Sequence, residues 1–161
     1  MPPELDLIDA RLVEELQLDA DRPNVELARI VGLSPAATLH RVRRLKDSGL
    51  VRGIVARLDS AAAGFPLQVY VAVTLRQHDE ASHRRFAGVV RAMPEVIAAD
   101  WVTGETDAML MVVAREVAEL QRVLVRLSTR GSAARVMTLL RLEELKPSSP
   151  LPLRPTKEEV S

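Results

Sequence analysis

At 161 residues, with 47% hydrophobic and 27% charged residues, the chain is long enough to bury a real core and has a globular rather than a disordered balance. It has no cysteine, which excludes disulfide scaffolds and thiolate metal sites and suits a reducing cytoplasm. No apolar run approaches the ~18 residues of a membrane span, and Met1-Pro2-Pro3-Glu4 lacks the basic and apolar regions of a signal peptide.

Formal net charge is zero but unevenly spread. Residues 1–21 carry seven acids against Arg11 alone, whereas residues 22–57 carry eight bases against Glu26 and Asp47. A basic surface on a neutral protein points to a polyanion bound at one place; by itself it also fits a solvated helix face.

Taken in chain order, Ile8, Leu12, Val13 and Leu16 mark one face of a first helix of about three turns. A break at 19–23 follows. Asn24 is placed to cap a second helix with Val25, Leu27, Ala28 and Val31 facing inward. Gly32-Leu33 turns the chain, and Ser34 caps a third helix with Pro35 at its first position, where a missing N–H costs nothing. Three short helices with a tight glycine turn before the last spell a helix-turn-helix.

Beyond Gly49 the period changes to two. Gly53 to Leu58 reads as a short strand, followed by an Ala/Gly/Pro hinge from Ala61 to Pro66. A clear strand alternates Val69, Val71, Val73 and Leu75 with Tyr70, Ala72 and Thr74. A helix is expected over Glu80 to Arg91, strands over Val96 to Thr103 and Ala108 to Ala114 around "GETD", a helix striped by Val117, Leu120, Val123, Leu124 and Leu127, and a last strand over Arg135 to Leu145. The order β-α-β-β-α-β is the ferredoxin-like split unit, so the fold class is α+β. The expected division is a helix-turn-helix domain at 1–52, a strand and hinge at 53–66, the sheet domain at 67–146, and a loose Pro/Ser-rich tail at 147–161.

The run "LDLIDARLVEELQLDADRPNVELARIVGLSPAATLHRVRRLKDSGLVRG", with "VTGETDAML" in the second module and Lys146 shortly before Leu151-Pro152-Leu153, resembles the Lrp/AsnC family of transcription regulators. The resemblance implies a winged-helix-like helix-turn-helix joined to an amino-acid-sensing (RAM) domain. It also implies a homo-oligomer, a dimer extending to tetramers or octamers, on double-stranded DNA with a palindromic operator, in the cytoplasm at the nucleoid. It implies an amino-acid effector and no cofactor, metal or catalytic residue. The family loop is most often Gly-Asp-x-Asp, where this chain has Glu105 in the first acidic place, and Arg141 stands where a small apolar residue is common.

On a wheel at ~100° per residue, Leu39, Val42 and Leu45 share one side of the third helix and are expected to pack on the first two helices. Opposite lie Ala37, His40 and Arg44, with Ala36 beside them. A recognition helix sets its N-terminal residues near base edges, so Ser34 and Pro35 open the contact segment; Ala36 and Ala37 permit close approach, and His40 and Arg44 reach base acceptors. Arg41, Arg43, Lys46 and Arg52 are expected on phosphates.

"GETD" is either a plain hairpin with solvated acids or an ammonium site. In the second reading, taken from the resemblance, Thr103, Gly104, Glu105, Thr106 and Asp107 form a pocket with Thr138 and Leu140 across a subunit interface. Asp107 is the better anchored acid. Trp101 either walls this pocket or simply packs. Met109 and Met111 are expected in the core. Three histidines without metal spacing, and no phosphate loop or nucleophile motif, speak against catalysis. Two alternatives accompany the regulator: a sirohaem-decarboxylase-like enzyme of the same architecture, using basic and histidine residues such as His78 and His83, and an architectural DNA-coating protein without an effector.

Overall fold

The computed structural model describes residues 5–153; Met1-Pro2-Pro3-Glu4 and the end of the 147–161 tail lie outside the described residues. It divides into two compact units. One holds the described residues up to Ala56 together with those from Lys146 on; the other is Arg57–Leu145.

In the first unit, α1 (Leu7–Leu18), α2 (Asn24–Val31) and α3 (Pro35–Asp47) enclose Leu5, Leu12, Val13, Leu27, Val42 and Leu45. Local chemistry sets the boundaries. Asp6 caps α1 by accepting from the Asp9 N–H at 2.7 Å, and Ser34 caps α3 by accepting from Ala37 N–H at 3.2 Å. Gly32, at φ +70°, ends α2 in the left-handed conformation, and the next N–H returns to the Ala28 carbonyl. Asn24 does not cap: Pro23 holds the cap position, while the Asn24 amide donates to the Pro35 carbonyl at 2.8 Å and pins the turn between α2 and α3. Val25, expected inward, is exposed.

Leu151 and Leu153, in the tail expected to be loose, are tied down. The Gln17 side chain accepts from the Leu151 N–H at 2.6 Å and donates to its carbonyl at 3.3 Å, and Leu153 packs against the same core.

The second unit is a four-stranded antiparallel sheet in the order β2-β3-β1-β4, from β1 (Leu67–Leu75), β2 (Val96–Trp101), β3 (Ala108–Ala114) and β4 (Ala133–Leu140). Helices α4 (Glu80–Arg91) and α5 (Val117–Thr129) cover one face, burying Val69, Val71, Val73, Leu110, Val112, Val123 and Leu127. Val73 pairs with Ala108 and Val136, Val71 with Leu110, and Val69 with Val112, so every second residue of three strands faces the helices. Gly131 is required where α5 returns to the sheet: a Cβ there would stand 2.5 Å from the Leu127 carbonyl oxygen and 3.1 Å from the Phe86 ring.

Three expected strands fall short, the one expected over Val96 to Thr103 by two residues, since β2 ends at Trp101. Residues 53–58 pair with nothing among the described residues and leave Ile54, Val55 and Leu58 exposed; β4 stops at Leu140 rather than Leu145. A strand needs a neighbour's hydrogen bonds, which alternation in one segment cannot supply.

Candidate functional site

Helix α3 buries Thr38, Val42 and Leu45. Thr38 takes the place expected for Leu39, which is exposed; its hydroxyl donates to the Ser34 carbonyl at 3.0 Å, so it enters the core without an unpaired polar group. This turns the buried stripe by about 30° on the wheel. The outward face then centres on Ala36, His40, Arg43 and Asp47, with Ala37 and Arg44 on one flank and Leu39 and Lys46 on the other. Ser34, Pro35, Ala36, Ala37, His40, Arg43, Arg44, Lys46 and Arg52 are all exposed; Arg41 is half-buried.

Arg41 lies where α1 and α3 meet. Its Nη1 donates to Asp6 Oδ2 at 2.6 Å and to Asp9 Oδ1 at 2.9 Å, while Arg44 Nη2 donates to the other oxygen of Asp9. Asp9 is 1% exposed, so its charge is stable there only because two guanidiniums meet it. Burial pulls the Asp6 carboxyl upward, but the Arg41 hydrogen bond, the Asp9 N–H and the charges of Arg41 and Arg44 outweigh it and hold Asp6 below its ordinary value. The same hydrogen bonds hold the Arg41 guanidinium above its own.

The acidic start and basic continuation of the sequence therefore meet in part: Arg41 and Arg44 pair with Asp6 and Asp9, and Arg22 with Glu15 and Asp19. Arg43, Lys46 and Arg52 have no ion-pair partner among the described residues. Of the two arginines expected on base edges and phosphates, Arg44 and Arg41, both are engaged inside the unit. Asp6 and Asp9 were not singled out as partners in the sequence; their spacing before α3 offered no local signal.

In the other unit, residues 102–107 link β2 to β3, with Gly104 at φ +122°. Thr103, Gly104 and Glu105 are exposed; Thr106 and Asp107 are half-buried. Asp107 closes the loop onto the end of β1. Its N–H donates to the Val73 carbonyl at 2.9 Å, its Oδ2 accepts from the Leu75 N–H at 2.7 Å, and its Oδ1 lies 3.3 Å from His78 Nδ1. Thr74 donates to the Glu105 carbonyl at 3.4 Å, which leaves the Glu105 carboxylate uncommitted. Thr138 and Leu140 sit on β4, paired with Val71 and Val69, so within one chain β1 stands between them and the loop. Trp101 pairs with Ala108 on the helix-covered side, stacks on His83 with ring centroids 4.7 Å apart, and tilts against Phe86 at 5.5 Å.

The sheet face without helices carries Tyr70, Met111 and Leu139 in one row and Ala72, Met109 and Met137 in the next. Met109 and Met111, expected in the core, are half-exposed on this face instead. Hydrophobicity alone does not say which side of a sheet the helices take.

Residues 5–46 match the AsnC-type helix-turn-helix domain, and residues 68–151 match the Lrp/AsnC ligand binding domain. The chain is 36% identical over 149 residues to the HTH-type transcriptional regulator AldR of Mycolicibacterium smegmatis, covering 92% of this chain and 87% of that protein. It is 37% identical over 144 residues to the leucine-responsive regulatory protein of Rhizobium meliloti, covering 89% and 92%. Its fold matches, with a TM-score of 0.86 and 32% identity, a transcriptional regulator of Neisseria meningitidis crystallised as an L-Met complex, over 92% of this chain and 96% of that one. The chain belongs to the Lrp/AsnC family of transcriptional regulators. It is a DNA-binding regulator with a ligand-binding domain, and the decarboxylase reading falls: the relatives that span most of this chain are named as regulators, not enzymes. Among the described residues no helix is long and apolar enough to cross a membrane.

Proposed function

We propose that this protein is a sequence-specific DNA-binding regulator whose assembly and DNA affinity respond to a free amino acid. The observation that carries the DNA half is the outward face of α3. Small Ala36 and Ala37 in its first turn allow the backbone to approach base edges, His40 follows one turn later, and Arg43, Lys46 and Arg52 are uncommitted cations for phosphates. Arg41 and Arg44 contribute mainly by holding α3 against α1.

One helix-turn-helix buries too little surface for a specific site, so two act together on a palindromic operator with half-sites about one helical turn or a multiple apart. The open sheet face supplies the pairing: Tyr70, Met109, Met111, Met137 and Leu139 form an apolar surface that a second copy's sheet covers. Tetramers or octamers build from such dimers, which work in the cytoplasm at the nucleoid.

For the effector, a buried ammonium needs a carboxylate. Glu105 is the free one; Asp107, already accepting from Leu75, shapes the loop around it. A relative named leucine-responsive and a similar structure holding L-Met support an amino acid as the ligand. The test is fluorescence anisotropy on operator fragments selected from random DNA, with each amino acid added in turn and sedimentation run in parallel. A dimer or larger species, and an affinity moved by at least one amino acid, are expected. Specific binding indifferent to all of them would overturn the effector half, and a monomer bound alike to any DNA would overturn the rest.

A further inference from the structure

Away from the acidic loop and the open sheet face, the outer groove between α4 and α5 carries a cluster that neither DNA reading nor effector sensing uses. A cleft of about 330 Å³ is lined by Arg85, Val89, Ala92, Met93, Arg126 and Arg130. Arg126 also borders a second cleft of about 560 Å³ that contains Glu95 and Arg122. Arg126 Nη2 donates to Glu95 Oε1 at 2.5 Å, yet Arg126 Nε and the other Glu95 oxygen are buried without a hydrogen-bond partner. Arg85 and Arg130 form no ion pair among the described residues.

Three arginines thus line one cleft, only Arg126 of the three has a carboxylate partner among the described residues, and it keeps a buried N–H unused. The neighbouring Arg84, by contrast, is neutralised by Glu80 on its own helix. If Arg126 and Glu95 served only to fasten the turn before β2 to α5, Arg85 and Arg130 at the lip would have no reason to share the cleft.

We infer that this cleft binds a small molecule carrying a dianionic phosphate. Planar guanidinium forks match the paired oxygens of a phosphate, and charge-assisted bonds of this kind are about twice as strong as neutral ones. The phosphate lies between Arg85 and Arg130, beside Arg126. Val89, Ala92 and Met93 form an apolar floor for a compact organic group beside it, and the volume admits a small metabolite. Trp101, the only tryptophan, stacks on His83 of the helix that carries Arg85, so its emission is followed as a second signal beside calorimetry.

The test uses the full chain in phosphate-free buffer, with calorimetry and Trp101 fluorescence against phenyl phosphate, inorganic phosphate, and sulfate, at ionic strength matched with chloride. Saturable binding is expected, tightest for phenyl phosphate and weakest for sulfate. The double variant Arg85→Gln/Arg130→Gln should weaken phenyl phosphate about a hundredfold, roughly tenfold per guanidinium, and leave the melting curve and the affinity for DNA unchanged. Arg84→Gln/Arg91→Gln, on exposed arginines of the same helix outside the cleft, should change none of these. Absence of saturable binding, or equal losses in the two double variants, would overturn the site. So would a double variant that weakens DNA and flattens its salt dependence while the small anions fail to bind, because the arginines would then belong to a DNA-contacting surface.

Discussion

Replacing Arg41 by methionine tests whether this side chain is a strut of the fold or a DNA contact. Asp9 has a side chain 2% exposed, and its two partners differ: Arg41 is 26% exposed and also holds Asp6, whereas Arg44 is 53% exposed. Removing one partner of a buried ion pair costs about 3–5 kcal/mol, because the other charge is stranded. Here Arg44 remains on one Asp9 oxygen, which offsets part of that loss, so Arg41→Met should cost about 3 kcal/mol. Arg44→Met strands nothing, since Arg41 stays bonded to Asp9, and a half-exposed partner contributes about 1 kcal/mol or less.

With a urea dependence of about 1–3 kcal/mol/M, Arg41→Met should lower the unfolding midpoint by at least about 1 M, and Arg44→Met by well under that. Far-UV circular dichroism at low salt measures both, and anisotropy against a salt series measures DNA binding beside them. If Arg41→Met left the midpoint within about 0.3 M of the parent while making the log K versus log salt slope shallower by about one, Arg41 would be a phosphate contact and the strut reasoning would fail.

Three further outcomes follow from the same geometry. His40→Ala should reduce discrimination between operator and random DNA by ~1–3 kcal/mol, whereas Arg43→Ala should weaken both alike and flatten the salt slope by about one unit, as anisotropy on the two DNAs will register. Glu105→Gln should reduce calorimetric affinity for the effector amino acid with the melting curve unchanged, while Asp107→Asn should lower affinity and melting temperature together. The third concerns pH: because the folded carboxyl of Asp6 is held below its ordinary value, its contribution is present above that value and lost as pH falls through the folded one. Stability of the parent should therefore fall more steeply on acidification below about pH 4 than that of Asp6→Asn, measured by urea unfolding at each pH.

Much of this architecture is written locally. Helix α4 begins at Glu80 and ends at Arg91, and β3 runs from Ala108 to Ala114, where periodicity places them, because each buries a stripe that its own spacing announces. The Gly32 turn and the Ser34 cap are equally local, resting on one φ angle and one hydroxyl. What escaped is non-local or disguised. Thr38 enters the core in place of Leu39 because its hydroxyl is satisfied four residues back, which a count of apolar residues cannot register. Arg41 and Arg44 read as DNA-facing charge until Asp6 and Asp9 are brought against them from more than thirty residues away. In the acidic loop the position of the residues was legible and the division of labour was not: the Leu75 N–H and His78 that engage Asp107 come from another strand end.

The path of the chain through the helical unit has a consequence for its birth on the ribosome. The polypeptide leaves that unit after Ala56 and returns only at Lys146, so Leu151 and Leu153 reach Gln17 and the helices after the whole sheet has been translated. At about 5–20 residues per second the intervening stretch takes roughly five to twenty seconds to synthesise. Throughout that interval the emerged helices exist without Leu153, while the sheet unit is still being made. Premature termination anywhere before residue 151 therefore removes contacts of the first unit, those of Leu151 with Gln17 and of Leu153 with the helices, as well as part of the chain beyond it.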